Sequence, residues 1–432
     1  MATRTERRSA AAPPRSPRPQ SPELCVGYAR IDITPPVGTP LAGETDRKGR
    51  LAQRVRDPLH ARALHIQAGE RAATLVIADL LVVPAALHQA VARAAEVEPS
   101  ALLLAATHSH SATGGYWNGG PLVRYFMGPY QESIFRELVA RLAQVARESR
   151  ARATPARLLG ARVALTGVNA NRRRLLGPID PDLTLVRFER EHHRPIDVVS
   201  FSAHPVIGSE RDRHAISADF PGELCRRIEA RGRRAMFFQG AVGGLSPLFP
   251  EFPQPIDVHL SLVGSLLEDG VDRAETALAP LSHEPFETRL ARVPLPPPTC
   301  RVFPATMRHG WLAEAATFPL RRWIAAQARH ARHGDPDAPL HLVRLGDSAW
   351  LGTPCDLGVN VALALKQTLV ERGVRFPMIG SQCDGYVGYV HMPDDYQHVP
   401  EPGFRELGFY ENAMSLSGWN LGADFVATLR SW

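Results

Sequence analysis

The sequence has no run approaching the ~18 consecutive apolar residues that a membrane-crossing helix needs, so no segment is expected to span a bilayer. Cysteine is scarce: Cys25, Cys225, Cys300, Cys355 and Cys383 are odd in number and scattered along the chain. That pattern excludes a disulfide framework and points to reduced thiols in a cytoplasmic protein. Charge of one sign is also missing from most of the chain. The formal net charge is +6, but residues 1–22 carry Arg4, Arg7, Arg8, Arg15 and Arg18 against Glu6 alone, a net of +4 that leaves +2 for the remainder. A body so nearly neutral offers no basic face for nucleic acid. The same N-terminal stretch lacks an apolar h-region, which excludes a secretory signal. Its Arg and Ser suggest a transit peptide, but its prolines oppose an amphipathic helix, and its composition is that of a disordered basic leader over 1–22. No internal repeat is present.

What is there is enough chain to bury a large core: 432 residues, 44% hydrophobic and 22% charged, the balance of a soluble globular protein. Alternating and apolar runs predict strands over 26–34, 61–66, 73–78 and 102–106, with a helix over 84–95 before the last of these. A second helix over 130–149 places Ile134, Leu138, Leu142 and Val145 on one stripe. Strands over 162–166, 183–188, 198–202 and 235–238 follow, then helices after Asp219-Phe220-Pro221 and around Val263, Leu266, Leu267 and Val271. Beyond an extended proline connector over 294–298 come a helical stretch over 311–333, a strand over 341–351 and a helix over 357–372. This alternation predicts an α/β fold over 23–432: a single large domain, with mixed sheets flanked by helices and a site at strand ends.

Several polar residues stand where an apolar strand gives way to a loop: His108, His110, His204, Ser246 and Asp356. In an extended chain His108 and His110 point the same way, so one imidazole can bind a metal while its neighbour handles a proton. Thr113-Gly114-Gly115 then lets the backbone turn away. His204 is a second nitrogen ligand or simply the end of a strand before Pro205. Asp356 is a carboxylate ligand or the N-cap of the helix that begins after it. Ser246 lies in the glycine-rich turn Gly243-Gly244-Leu245-Ser246-Pro247, whose backbone N–H groups are able to face an oxyanion, or is an ordinary turn serine. Arg172, within three consecutive arginines, is a clamp for an oxyanion or part of a solvated cluster. Tyr386, Tyr389 and Tyr410 read on their own as core aromatics with satisfied hydroxyls.

Seven segments occur in one order: 26–34 with Gly27-Tyr28-Ala29-Arg30-Ile31-Asp32, Thr107-His108-Ser109-His110-Ser111 with Gly114-Gly115-Tyr116, Asn169-Ala170-Asn171-Arg172 with Ile179-Asp180-Pro181, Ala203-His204 with Ile216-Ser217-Ala218-Asp219, Gly243-Gly244-Leu245-Ser246-Pro247, Gly385-Tyr386-Val387-Gly388-Tyr389, and Tyr410-Glu411. In that order they resemble the catalytic domain of the neutral/alkaline, non-lysosomal ceramidase family, zinc amidases that split an N-acyl sphingoid base into fatty acid and amine. The resemblance implies one Zn²⁺ held by His108, His204, Asp356 and Tyr389. It implies His110 as the neighbouring acid/base, Arg172 and Tyr410 as holders of the substrate carbonyl and its oxyanion, and Ser246 as the nucleophile, with a zinc-activated water as the competing assignment. The family's Pro-Gly-Glu ligand context appears here as Pro354-Cys355-Asp356, extra residues surround 398–403, and the C-terminal β-sandwich domain and signal peptide of long secreted members have no counterpart. These departures weigh against a membrane lipid as substrate. The expectation is a cytoplasmic, zinc-dependent hydrolase of an N-acyl amide, ceramide-like or another N-acyl small molecule. Its rivals are an acyltransferase or amide-forming enzyme on the same site and a metal-free binding protein on the amidase fold.

Overall fold

The computed structural model describes residues 23–43, 50–174, 176–247, 255–296, 335–398 and 405–432, with scattered helical positions between 315 and 330. The leader over 1–22, Cys300, the end of the proline connector and the extra residues over 399–403 lie outside these.

Two sheets carry the fold. Among the described residues the larger has nine strands. Its path runs Arg234–Gln239, Ile196–Phe201, Asp182–Arg190, Thr154–Ala164, Leu24–Asp32, His60–Ala68, Arg71–Ala78 and Leu102–Ala106, and Ala279–Pro280 pairs with Thr154–Ala164 off the path. It is mixed: the first two and the last two strands of the path pair in parallel, the interior ones antiparallel. The smaller sheet has four described strands, in the order Phe286–Pro294, Asp337–Leu345, Ser348–Gly352 and Phe376–Gly380.

Strand alternation sorts the side chains into layers. On one face of the large sheet Leu64, Ile66, Leu75, Val186, Phe188 and Phe238 join Val343, Trp350 and Met378 of the small sheet in one core, so the sheets stack face to face. From the opposite face of the same strands, Ala63, Val76 and Leu104 pack with Leu87, Val91, Leu138 and Leu142 of the helices Ala85–Ala95 and Glu132–Ala151. Leu185, Val199 and Phe237 pack on Leu224, Val263 and Leu267 of Asp219–Ala230 and Ile256–Thr276. The outer face of the small sheet is covered by Val359–Glu371 and Leu421–Ser431 through Leu365, Leu369, Phe425 and Leu429. The result is a four-layer helix–sheet–sheet–helix sandwich, the mixed α/β architecture that the alternation predicts. None of its described helices is long and apolar enough to cross a membrane.

The strand predicted over 341–351 is two antiparallel strands. Gly346, at φ 57, turns the chain between Leu345 and Ser348. An apolar run that continues through a two-residue turn carries no periodicity to reveal the break.

Candidate active site

The buried strand Leu102–Ala106 ends at the edge of the large sheet, and the chain turns before the histidines. His108 is left-handed, at φ 64, so strand alternation does not set the direction of its ring. The two rings converge through this turn instead: His108 Nε2 and His110 Nε2 are 3.3 Å apart. His204, three residues past Ile196–Phe201, completes the group, with its Nε2 3.1 Å from that of His108 and 2.8 Å from that of His110. These three side chains form a group able to hold a metal.

The buried segment 215–219 pins the two histidine loops together. Ser217 donates its N–H to Ser111 O at 3.0 Å and accepts Ser109 Oγ on its own carbonyl at 2.6 Å. Asp219 accepts the N–H of Gly208 at 2.6 Å, and His110 N–H reaches Pro205 O at 3.2 Å. Burial pushes the Asp219 carboxyl up to about 7. Gly43, at φ 110, lets the backbone lie against the His110 ring, where an added Cβ would come within 2.8 Å of Cγ.

The tautomers of His108 and His204 follow from their Nδ1 partners. His108 Nδ1 stands 2.8 Å from Leu81 O and His204 Nδ1 3.2 Å from Val242 O. A carbonyl only accepts, so each Nδ1 carries the proton and each Nε2 presents a bare lone pair. Two such lone pairs 3.1 Å apart repel, and neither has a proton to share. Burial holds both imidazoles well below their usual range, helped by His110 beside His108 and by Arg172 beside His204. They are therefore neutral, the form that binds a metal.

Asp356 extends the donor set, with Oδ1 3.2 Å from His108 Nε2. It does not cap a helix: it lies in the short strand Asp356–Leu357, and the N-cap of Val359–Glu371 is Gly358. Its oxygens accept Gln382 Nε2 and the Tyr386 hydroxyl, each at 2.5 Å. Burial pushes its carboxyl up to about 7, a penalty that a neighbouring cation reverses. Asp356 also pairs in register with Tyr389 of Tyr389–Val390, which puts the two side chains on one face. Bonds of about 2 Å in a tetrahedral zinc site give ligand–ligand edges of about 3.3 Å. The His108–His204 and His108–Asp356 spacings of 3.1 and 3.2 Å fit such a cation.

Around this centre Arg172 and Arg173 are fixed rather than solvated. Arg172 is buried and donates from Nε to Glu411 Oε1 at 2.8 Å and from Nη2 to the Tyr389 hydroxyl at 3.0 Å. Arg173 donates to Glu411 Oε2 at 3.0 Å and to Asn412 Oδ1 at 3.0 Å, and His391 Nε2 is 3.1 Å from Glu411 Oε2. Tyr410 meets the Tyr389 ring edge-on, at 5.9 Å between centroids. Tyr389 and Tyr410 line a pocket of about 440 Å³ with His108, His110 and Asp356, so the plain core-aromatic reading does not describe them. The other walls of that pocket are largely apolar, among them Leu81, Val82, Phe126 and Met414.

Ser246 lies half-buried on the short strand Leu245–Pro247, opposite Ala170, and is not among the residues lining this pocket. The glycine-rich turn before it does not form an oxyanion cradle. Its N–H groups are spent inside the protein: Gly240 on Phe201 O, Ala241 on Ser202 Oγ, Gly243 on Leu357 O and Gly244 on Glu411 Oε1. Its carbonyl at Val242 instead orients His204. Glu411, Gln382 and Asp219 were not singled out as functional by sequence reasoning. Glu411 and Asp219 stand inside the ordered motif segments, but the arginine partners of Glu411 lie 239 and 238 residues away.

Fold and site together define a helix–sheet–sheet–helix protein with a histidine–carboxylate centre at its strand ends. No protein-family model matches the chain, and no curated protein matches its sequence. Among solved structures, neutral ceramidase from Pseudomonas aeruginosa superposes with a TM-score of 0.74 at 20% identity, over 95% of this chain and 75% of that one. A ceramidase complexed with C2 superposes with a TM-score of 0.75 at 18% identity, over 95% and 74%. The chain has the neutral ceramidase fold.

Proposed function

We propose that the protein is a zinc-dependent amidase that cleaves the C–N bond of an N-acyl amine, either ceramide-like or another N-acyl small molecule. The observation that carries this reading is the pair of bare Nε2 lone pairs on His108 and His204, 3.1 Å apart and beside Asp356, a donor set that one shared cation would satisfy. The fold shared with two ceramidases supports the choice of an amide substrate.

In this reading His108, His204, Asp356 and Tyr389 hold the zinc, which supplies Lewis-acid polarisation. His110, with its Nε2 facing the same centre, accepts a proton from the attacking water and returns it to the leaving amine nitrogen. The Arg172 guanidinium and the Tyr410 hydroxyl hold the carbonyl oxygen as it gains negative charge. Glu411 keeps Arg172 from swinging away. The apolar walls of the pocket keep bulk water from the reacting carbonyl and so strengthen each of these contacts. Ser246, on the strand beside Arg172, is the competing nucleophile.

The test is elemental analysis of protein purified without added metal, together with a screen of N-acyl amides before and after chelation. About one zinc per chain and chelator-sensitive release of amine are expected. Amide hydrolysis without bound metal, or metal without any amide turnover, overturns the reading.

A further inference from the structure

The pocket over the histidines ends on an aromatic wall. Trp117 and Tyr386 meet edge to face, with centroids 5.6 Å apart and rings inclined at 85°. Both line the reaction pocket of about 440 Å³, and both also line a second pocket of about 400 Å³. Among the described residues the two cavities share these two and no others, so the aromatic pair stands between them. Beyond it, the second pocket is walled by Pro84, Ala85, Ala86, Pro339 and Val387, small apolar groups that suit a narrow aliphatic chain.

The two halves of the partition are held differently. The Tyr386 hydroxyl is tied to Asp356 Oδ2 at 2.5 Å, so its ring is anchored by the donor set itself. Trp117 is half-buried and stands against that fixed ring, next to the apolar residues of the reaction pocket. An unbranched arm that starts at the histidines and runs along Leu81, Val82 and Phe126 toward the partition stops at the indole. Beyond the indole lies the second pocket.

Resting on the amidase reading, we infer that Trp117 sets the length of the substrate's aliphatic arm: the wild-type protein takes arms that end at the indole, and removing the indole joins the two pockets into one longer channel. Asp335 and Asp337 also line the second pocket. An arm that reaches it therefore ends in an apolar or cationic group and not in an anion, because a second carboxylate there would meet like charge in a partly desolvated space.

The experiment measures binding rather than turnover. Straight-chain carboxylic acids from butyrate to palmitate are titrated by calorimetry into the purified wild-type protein, Trp117→Ala and Trp117→Phe. Each buried methylene is worth about fourfold in affinity. Wild-type affinity is expected to climb by about that factor per carbon and then level off where the chain meets the indole. In Trp117→Ala the levelling-off point moves to longer acids, while α,ω-dicarboxylic acids of the same length gain nothing. Trp117→Phe keeps a ring at the partition and moves the break much less. Coincident profiles for wild type and Trp117→Ala overturn the inference, as does an absence of length dependence in the wild type. Hydrolysis of N-acyl amides is followed in parallel. Turnover with coincident profiles defeats the Trp117 inference alone, whereas a shifted break without any turnover defeats the amidase reading and leaves Trp117 as the length gate of a binding site.

Discussion

Glu411 offers the sharpest test of how the site is built. Its side chain is fully buried, and it faces donors on every side: Arg172 Nε and Nη2, the Gly244 N–H, Arg173 Nη1 and His391 Nε2. Burial alone would raise its carboxyl, but the Arg172 charge, the His391 contact and the Arg173 charge together hold it well below the usual carboxylate range. Glu411→Gln keeps the shape and removes the charge. The new amide turns two N–H donors either toward Arg173 and His391 or toward Arg172 and Gly244, so donor faces donor whichever way it flips. Two guanidiniums lose a buried counter-charge. Removing one partner of such a buried pair costs about 3–5 kcal/mol. With an unfolding entropy of about 2.1 cal/mol/K per residue over roughly 400 residues, that cost lowers Tm by about 4–6 °C.

The pH dependence gives a second, independent check. A carboxylate with a depressed folded pKa contributes stability above its unfolded value, here 4.5, and loses it as pH falls toward the folded value. The gap between wild type and Glu411→Gln in urea unfolding should therefore be constant from neutral pH to about 5 and close steadily below it. A double-mutant cycle with Arg173→Met should show coupling of about 0.5–3 kcal/mol. If Glu411→Gln unfolds like wild type at neutral pH, or if the gap does not narrow in acid, the arginines are not held by this charge and the account of Arg172 fails.

Other substitutions separate roles within the site. Asp356→Asn keeps the shape but removes the anion; it should fold with near-normal melting in excess zinc, lose metal readily on dialysis and be nearly inactive, and full zinc occupancy would rule out Asp356 as a ligand. Asp219→Ala frees Gly208 and loosens the link between the two histidine loops, so zinc affinity should fall about 10- to 100-fold as for other residues that orient ligands, with unchanged affinity by competition against a chelator refuting the role. Ser246→Ala should leave turnover within a few-fold of wild type if water is the nucleophile; abolished turnover with intact metal content would give that role to the serine.

Much of the fold was legible because its signals are local. The stripe of Leu138, Leu142 and Val145 marks the helix Glu132–Ala151, and the apolar run of Leu102–Ala106 marks the strand that delivers the histidines. What failed was reasoning that extended a local rule past its end. His108 and His110 converge as expected, but through a left-handed turn and not through strand alternation. Asp356 sits where a cap would sit by sequence, yet its parallel pairing with Tyr389 draws it into a short strand and leaves the cap to Gly358. The function of Glu411 was not legible at all. Its partners Arg172 and Arg173 lie 239 and 238 residues away, and nothing in the neighbouring sequence marks it as a counter-ion.

Four polar residues at the centre share one physical feature. Each is oriented by a contact that lies outside the cluster itself: His108 by Leu81 O, His204 by Val242 O, Asp356 by Gln382 and Tyr386, Arg172 by Glu411. Those contacts come from different parts of the sandwich. Leu81 follows Arg71–Ala78, the neighbour of the edge strand Leu102–Ala106 in the large sheet, Val242 follows the edge strand at the other end of that sheet, and Gln382 follows the last strand of the small one. Stacking the two sheets therefore does more than bury the core between them, because it fixes the mutual positions of groups that repel or are costly to bury when considered one at a time. Neutral imidazoles with opposed lone pairs and a carboxyl pushed up to about 7 are poor choices for stability alone. Such costs persist where the surrounding structure holds the groups in place for another purpose, and a cation at their focus turns each of them into an attraction.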